Sequence, residues 1–299
     1  MATAQLAPAR VSIRNVLIAT DFSHCSNPAL HFGLQLSKAY GATAYIVFVL
    51  PNDPYLLAGP EAYVAARDAA RRDLEDLEAQ VKRAHGELEH DNYHLYLLEG
   101  DVAQSILDFA HQQQADLIVL GTHGRGGLPK ALLGSVAERV FRHAPVPVLT
   151  LGPRASHAQR DRPPRTILVA ADFTPASRRA VRFAAELARE HRSNLTLLHV
   201  LDPKPLQDMA DPAAVEQGIK TRLAELLGCE ADGVHCSIRV AVGRVTKRIL
   251  EIAREEAADL LVLGVRPSGG VLDRLVIPYA YEIVRDSPCP VLTLRETKP

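Results

Sequence analysis

One stretch of this chain occurs twice. Arg14 to Ser23 reads RNVLIATDFS, and Arg165 to Thr174 reads RTILVAADFT. The same offset carries YIVFVL, ending at Leu50, onto LTLLHVL, ending at Leu201. Further on, DLIVLG from Asp116 matches DLLVLG from Asp259, and Leu120 to Leu151 aligns without a gap on Leu263 to Leu294. A single repetition of this length means duplication of a domain, because a solenoid needs several short repeats to bury its core. At 299 residues the chain has room for two domains that each bury their own core. Gly152 to Arg165, GPRASHAQRDRPPR, has no apolar periodicity and reads as an exposed linker. The expected layout is a first domain over residues 1–152, a linker over 153–164 and a second domain over 165–299.

Within each copy, short β-branched runs alternate with longer stretches of helical spacing. In the first copy Asn15 to Thr20, Ala44 to Leu50, His94 to Leu98, Leu117 to Leu120 and Val146 to Leu151 read as strands. Asn27 to Tyr40, Glu61 to Glu87, Val102 to Gln114 and Gly134 to His143 read as helices. Strands that are apolar throughout are buried on both faces, which calls for a parallel sheet covered by helices. The fold class is therefore α/β, with two doubly wound five-stranded parallel-sheet domains in tandem. The last strand of each copy follows prolines, PVPVLTL at Pro145 and PCPVLTL at Pro288, and so reads as a sheet edge. Two such edges are expected to pair with one another about a pseudo-twofold axis.

Composition narrows the partners. Apolar residues make up 47% and charged residues 23%, with a net charge of −1, which gives no electrostatic reason for nucleic acid or an anionic membrane. The segment from Met1 to Arg14 lacks the pattern of a secretory signal, and no apolar run approaches the roughly 20 residues that span a bilayer. Cys25, Cys229, Cys236 and Cys289 show no C-x-x-C spacing. A soluble, cytoplasmic protein with no metal site is expected.

In an open α/β sheet, ligands bind beyond the carboxyl ends of the strands, where strand order reverses. Asp21 follows the first strand directly. Gly121 ends the fourth strand and opens GTHGRGGLPKALLGSVAERV, in which Gly124 is followed nine residues later by Gly134 and Ser135 at the head of a helix. Glycine admits close backbone approach, and the amides of Gly134, Ser135 and Val136 would stand at the positive end of the helix dipole, so an anion is expected there. A P-loop run is absent, and the glycines follow the fourth strand where a dinucleotide fingerprint follows the first.

This G-x-x-G-x9-G-S pattern, with an aspartate after the first strand, resembles the ATP-binding signature of universal stress proteins, and the resemblance covers nearly the whole chain in both copies. It implies a Rossmann-like adenine-nucleotide-binding fold with strand order 3-2-1-4-5. It also implies that Asp21 and Val49 lie beside adenosine, with Gly121, Gly124, Gly134, Ser135 and Val136 around ribose and phosphates. ATP is the implied ligand, with Mg²⁺ held mainly by phosphates and water. The second copy keeps Asp172, Val200 and Gly264 but has Pro267 for Gly124, and Ile277 and Pro278 for Gly134 and Ser135. Proline donates no amide and a β-branched residue crowds the approach, so this half should bind ATP weakly or not at all.

The remaining polar residues have ordinary explanations. His123 could contact phosphate or act as an acid but reads more simply as solvated, Arg125 and Lys130 could reach phosphates or equally serve surface solubility, and Cys236 shares a strand face with Ile238, as core packing requires. His24 and Cys25 are near the expected pocket, but proximity does not make a cysteine reactive. No catalytic residue is identified. The expected function is a stress-response module that senses or holds ATP, with the two domains forming an intramolecular pseudo-dimer and further homodimerisation left open. A slow ATPase or phosphotransferase using the same pocket is the rival, and an interaction protein that binds no nucleotide is the third reading.

Overall fold

The computed structural model describes residues 12–23, 26–52, 59–85, 92–122, 134–155, 163–203, 211–228, 232–265 and 273–296. The first copy runs β1 (Asn15–Ala19), α1 (Asn27–Tyr40), β2 (Thr43–Leu50), α2 (Pro60–His85), β3 (Tyr93–Glu99), α3 (Val102–Gln112), β4 (Leu117–Gly121), α4 (Ser135–His143) and β5 (Val148–Leu151). The second repeats it as β6 (Thr166–Ala170), α5 (Pro175–His191), β7 (Asn194–Leu201), α6 (Pro212–Leu227), β8 (His235–Val242), α7 (Val245–Glu255), β9 (Leu260–Val265), α8 (Asp273–Asp286) and β10 (Val291–Arg295). None of the described helices is long and apolar enough to cross a membrane.

The ten strands of the described residues form one sheet in the order β3-β2-β1-β4-β5-β10-β9-β6-β7-β8. Each half has the order 3-2-1-4-5, with parallel pairing inside each half. The halves join where β5 and β10 pair antiparallel, Leu149 opposite Leu292. Thr150 Oγ1 donates to the Val291 carbonyl at 3.2 Å and Thr293 Oγ1 to the Val148 carbonyl at 3.1 Å, the same bond from either side. The prolines lie just outside both strands, and Pro147 and Pro290 offer only carbonyls, to Ile118 and Leu261. They mark the edge of each five-stranded unit, as expected, but the whole sheet ends at β3 and β8.

Alternation along β1 shows the layering. Val16 and Ile18 enter one core with α1 and α2, while Leu17 enters another with α3 and α4. In the second half α5 and α6 join the first face, and α7 and α8 cover the other. Strands buried on both sides need apolar residues throughout, and the burial of β1 and β6 at their middle residues meets that demand.

The linker is only partly exposed, contrary to expectation. Gly152 and Ala155 are buried, and a side chain on Gly152 would come within 2.8 Å of the Val284 carbonyl at the end of α8. Arg154 reaches Asp286 at 3.7 Å. The chain leaving β5 is thus packed onto the second domain before it enters residues 156–162.

Carboxylates tie each β1-like strand to its neighbour. Asp116 accepts from the amides of Arg14 and Asn15 at 2.8 and 3.0 Å, and Asp259 accepts from Arg165 and Thr166 at 2.8 and 3.1 Å. These aspartates begin the two DL-x-VLG segments, so part of the repeat is structural.

Candidate functional site

The carboxyl ends of β1, β2 and β4 meet where strand order reverses in the first half. Asp21 sits there in a tight turn. Its Oδ1 accepts from Ser23 N at 3.1 Å and from Ser23 Oγ at 2.6 Å, the local bonding of an Asx turn. Phe22 N donates to Thr20 Oγ1 at 3.1 Å, and Phe22 has φ 59°, a left-handed conformation that a bulky residue rarely adopts. Its ring lies 4.7 Å from that of Phe48. Sequence patterning missed this strained residue, because it is not glycine and its conformation depends on bonds from Thr20. Backbone strain of this kind persists where the surroundings over-determine it, and it collects at functional sites.

Val49 belongs to β2 opposite Leu98, and its side chain is taken up in the core with Leu17 and Ile106. Gly121 ends β4 opposite Leu151. Gly124, His123, Arg125 and Lys130 lie outside the described residues, as do His24 and Cys25.

Gly134 is the N-cap of α4, with φ −60° and ψ 142°. Any residue adopts that backbone, so conformational freedom is not what the position uses glycine for. Its own amide donates to the Thr122 carbonyl at 2.9 Å. This corrects the expectation that Gly134, Ser135 and Val136 all offer amides: the available donors begin at Ser135. Among the described residues no side chain caps this end, and the amides of Ser135 and Val136 have no partner. Ser135 is exposed and Val136 half-buried. Such an end is an anion-binding arrangement.

The second half keeps the first part of this site. Asp172 Oδ1 accepts from Thr174 N at 3.1 Å and Thr174 Oγ1 at 2.5 Å, and Phe173 has φ 63°. Here the Phe173 ring lies against His199, and the Arg222 guanidinium stacks over it at 4.3 Å. A side chain on Gly264 would fall 2.3 Å from the Ser177 amide nitrogen, because the head of α5 packs directly on β9. This glycine is required by packing, so its presence is no sign of a nucleotide.

Ile277 and Pro278, which replace Gly134 and Ser135, do not head a helix. They lie inside α8, which begins at Asp273, so the turn of free amides has no counterpart at the matching position. Pro267 lies outside the described residues. Cys236 and Ile238 of β8 pack against the core as their shared face requires. Burial pushes the Cys236 thiol up from its ordinary pKa, which keeps it protonated.

The family follows from comparison with known proteins. A family model described as the universal stress protein family matches residues 12–151 and again 164–295. The chain belongs to this family. A universal stress protein of Methanocaldococcus jannaschii is 33% identical over 139 residues, covering 46% of this chain and 81% of that protein. One from Mycobacterium tuberculosis is 26% identical over 312 residues and covers 94% of both chains, so it shares the tandem arrangement. The crystal structure of a universal stress protein from Archaeoglobus fulgidus superposes with a TM-score of 0.74 at 22% identity, over 96% of this chain and 98% of that one. That similarity extends to the fold of both domains together.

Proposed function

We propose that the chain is a stress-response protein that binds ATP through its first domain and acts as a nucleotide-sensing regulatory module. The observation that carries this reading is the head of α4. There a helix start with no side-chain cap among the described residues presents the Ser135 and Val136 amides, behind a glycine whose backbone does not require glycine. Phosphate oxygens would accept from those two amides at the positive end of the dipole. Gly134 would leave room for their approach, and Gly121 and Gly124 would border the same pocket. The strained turn at Asp21 and the end of β2 at Val49 would flank the adenosine. The Val49 side chain is buried, so its contribution would come from the main chain. With no carboxylate cage among the described residues, Mg²⁺ would be held by phosphate oxygens and water. The same absence of a placed base among the described residues favours binding over an ATPase or phosphotransferase role.

The second domain is proposed as a structural partner that binds ATP weakly or not at all. The residue boundaries of the two domains, 1–152 and 165–299 with a linker between, are proposed on the same footing. So are further homodimerisation and a cytoplasmic location.

Gly134→Ile tests the reading. The new side chain suits the backbone at that position, so circular dichroism and melting should stay native. It would stand between the phosphates and two amides, and charge-assisted bonds of about 1.5–3 kcal/mol each make a loss of about a hundredfold or more in affinity the expected result. Calorimetry of the full chain with Mg²⁺ and ATP reads it. Unchanged affinity would remove the nucleotide from this loop.

A further inference from the structure

A cavity of about 400 Å³ lies across the junction of the two domains, at the amino ends of the strands and on the face that carries α1 and α5. Its floor is the junction itself: Leu149 and Leu292 sit opposite one another, with Leu117 and Leu260, the first residues of β4 and β9, beside them. Its walls are Phe32 and Leu36 from α1 facing Phe183 and Leu187 from α5. Each of these residues is paired with its counterpart in the other copy, so the cavity straddles the pseudo-twofold axis. The carboxyl ends of β1 and β4 are at the other end of the sheet, and among the described residues the two sites share no lining residue.

The lining departs from symmetry at one informative place. Tyr40 and His191 occupy matching positions at the ends of α1 and α5, and the Tyr40 hydroxyl lies 2.7 Å from His191 Nε2 across the axis. The rings meet edge-on with centroids 5.4 Å apart. Burial raises the Tyr40 pKa above its ordinary value and lowers that of His191, so both are neutral near pH 7. A hydroxyl carries one donor and two acceptor sites. Whichever way the proton points between Tyr40 and His191, the hydroxyl keeps capacity for one more hydrogen bond.

The cavity opens to solvent at its rim, where Lys38 and Ala39 are exposed and Phe32, Leu36, Tyr40 and His191 are half-buried, so a fitting guest would take their apolar surface out of water. The volume falls within the roughly 300–1,000 Å³ of small-molecule pockets, which combine apolar walls with a few polar groups. We propose that this cavity is a binding site for a small uncharged organic molecule with an apolar body and one hydroxyl or carbonyl group. The body lies across the axis against the leucines and phenylalanines, and the polar group bonds to the Tyr40–His191 pair. A charged ligand would give up hydration for one hydrogen bond to a neutral pair, and the Glu190 carboxylate, whose charge acts on both Tyr40 and His191, would further repel an anion. The one ammonium of the lining, Lys38, is exposed at the rim and stays in water.

Titration of the full chain with Nile red, an uncharged apolar dye with one carbonyl acceptor, tests this by its emission. One saturable site per chain is expected, and saturating Mg²⁺ and ATP leaves it in place. Leu36→Trp fills the cavity from α1 and Ala39→Trp fills it from the exposed rim, and each weakens the dye by about tenfold or more. The rim variant keeps wild-type melting, which separates occlusion from misfolding. Absence of saturable binding, binding untouched by both tryptophans, or displacement of the dye by ATP would overturn the proposal.

Discussion

The turn after the first strand is built alike in both copies, while the helix after the fourth strand begins in different places. At the turn, Asp21 with Ser23 and Asp172 with Thr174 make the same bonds, and Phe22 and Phe173 hold the same left-handed φ. At the helix, α4 starts at Ser135 behind a glycine, whereas α8 starts at Asp273 and carries Ile277 and Pro278 inside it. The turn belongs to the architecture, since it is retained where the helix head has moved. What distinguishes the first copy is where the helix starts, and the proposed nucleotide site rests on that difference.

A second contrast sits in the ion pairs. Asp101 at the head of α3 binds Arg139 of α4 at 2.6 Å, and the matching positions of the second copy are Arg244 and Glu282, at 3.3 Å. The pair has been kept with its charges exchanged. Arg139, then the Gln104 amide, hold the Asp101 carboxyl below the usual carboxylate range. Both pairs are largely solvent-exposed, so the exchange conserves geometry more than stability.

The comparison breaks most sharply at the glycines. Gly264→Val places a side chain against the backbone of Ala176 and Ser177, and a loss of about 3 kcal/mol or more is expected from such overpacking against main chain. Denaturant unfolding would show it. Gly134→Ile should leave the same measurement unchanged. Equal destabilisation by both would mean that Gly134 too is a packing residue.

Removing the strand-tying carboxylates should affect the copies alike. Asp116→Ala and Asp259→Ala each strip two amides of their acceptor, which is expected to cost about 1–3 kcal/mol in either domain. If only one variant is destabilised, the repeat is not structurally equivalent at its base.

The smallest expected effect comes from the asymmetric pair at the junction. His191 is held neutral chiefly by burial, against the opposing pull of Glu190. Its pKa in the folded chain is below the unfolded value of about 6.5, so the unfolded chain binds more protons below that pH and stability falls as pH falls. His191→Gln should therefore lose less stability than the parent between about pH 7 and 5.5. Parallel profiles would show that His191 does not titrate differently on folding.

Much of this was legible in the sequence because it depends on local pattern. Apolar runs located each strand of the first copy to within a residue or two, and the repeat announced the duplication. Pro145 and Pro288 pointed to the strands that join the halves. Other features depend on partners distant in the chain. Phe22 is forced into its conformation by Thr20 and the turn around Asp21, with no glycine to signal it. The Gly134 amide is consumed by Thr122, and Gly264 is required by the head of α5. The start of α8 at Asp273 and the cavity between α1 and α5 are likewise set by packing that periodicity does not record.

In the proposed function only the first copy presents a nucleotide site, and the stoichiometry of ATP binding to the full chain tests this most directly. Calorimetry with Mg²⁺ should give one ATP per chain. The combined change Pro267→Gly, Ile277→Gly and Pro278→Ser should leave that number at one, because it alters residues without moving the start of α8 back to the matching position. Two molecules of ATP bound per wild-type chain, or none, would contradict the account.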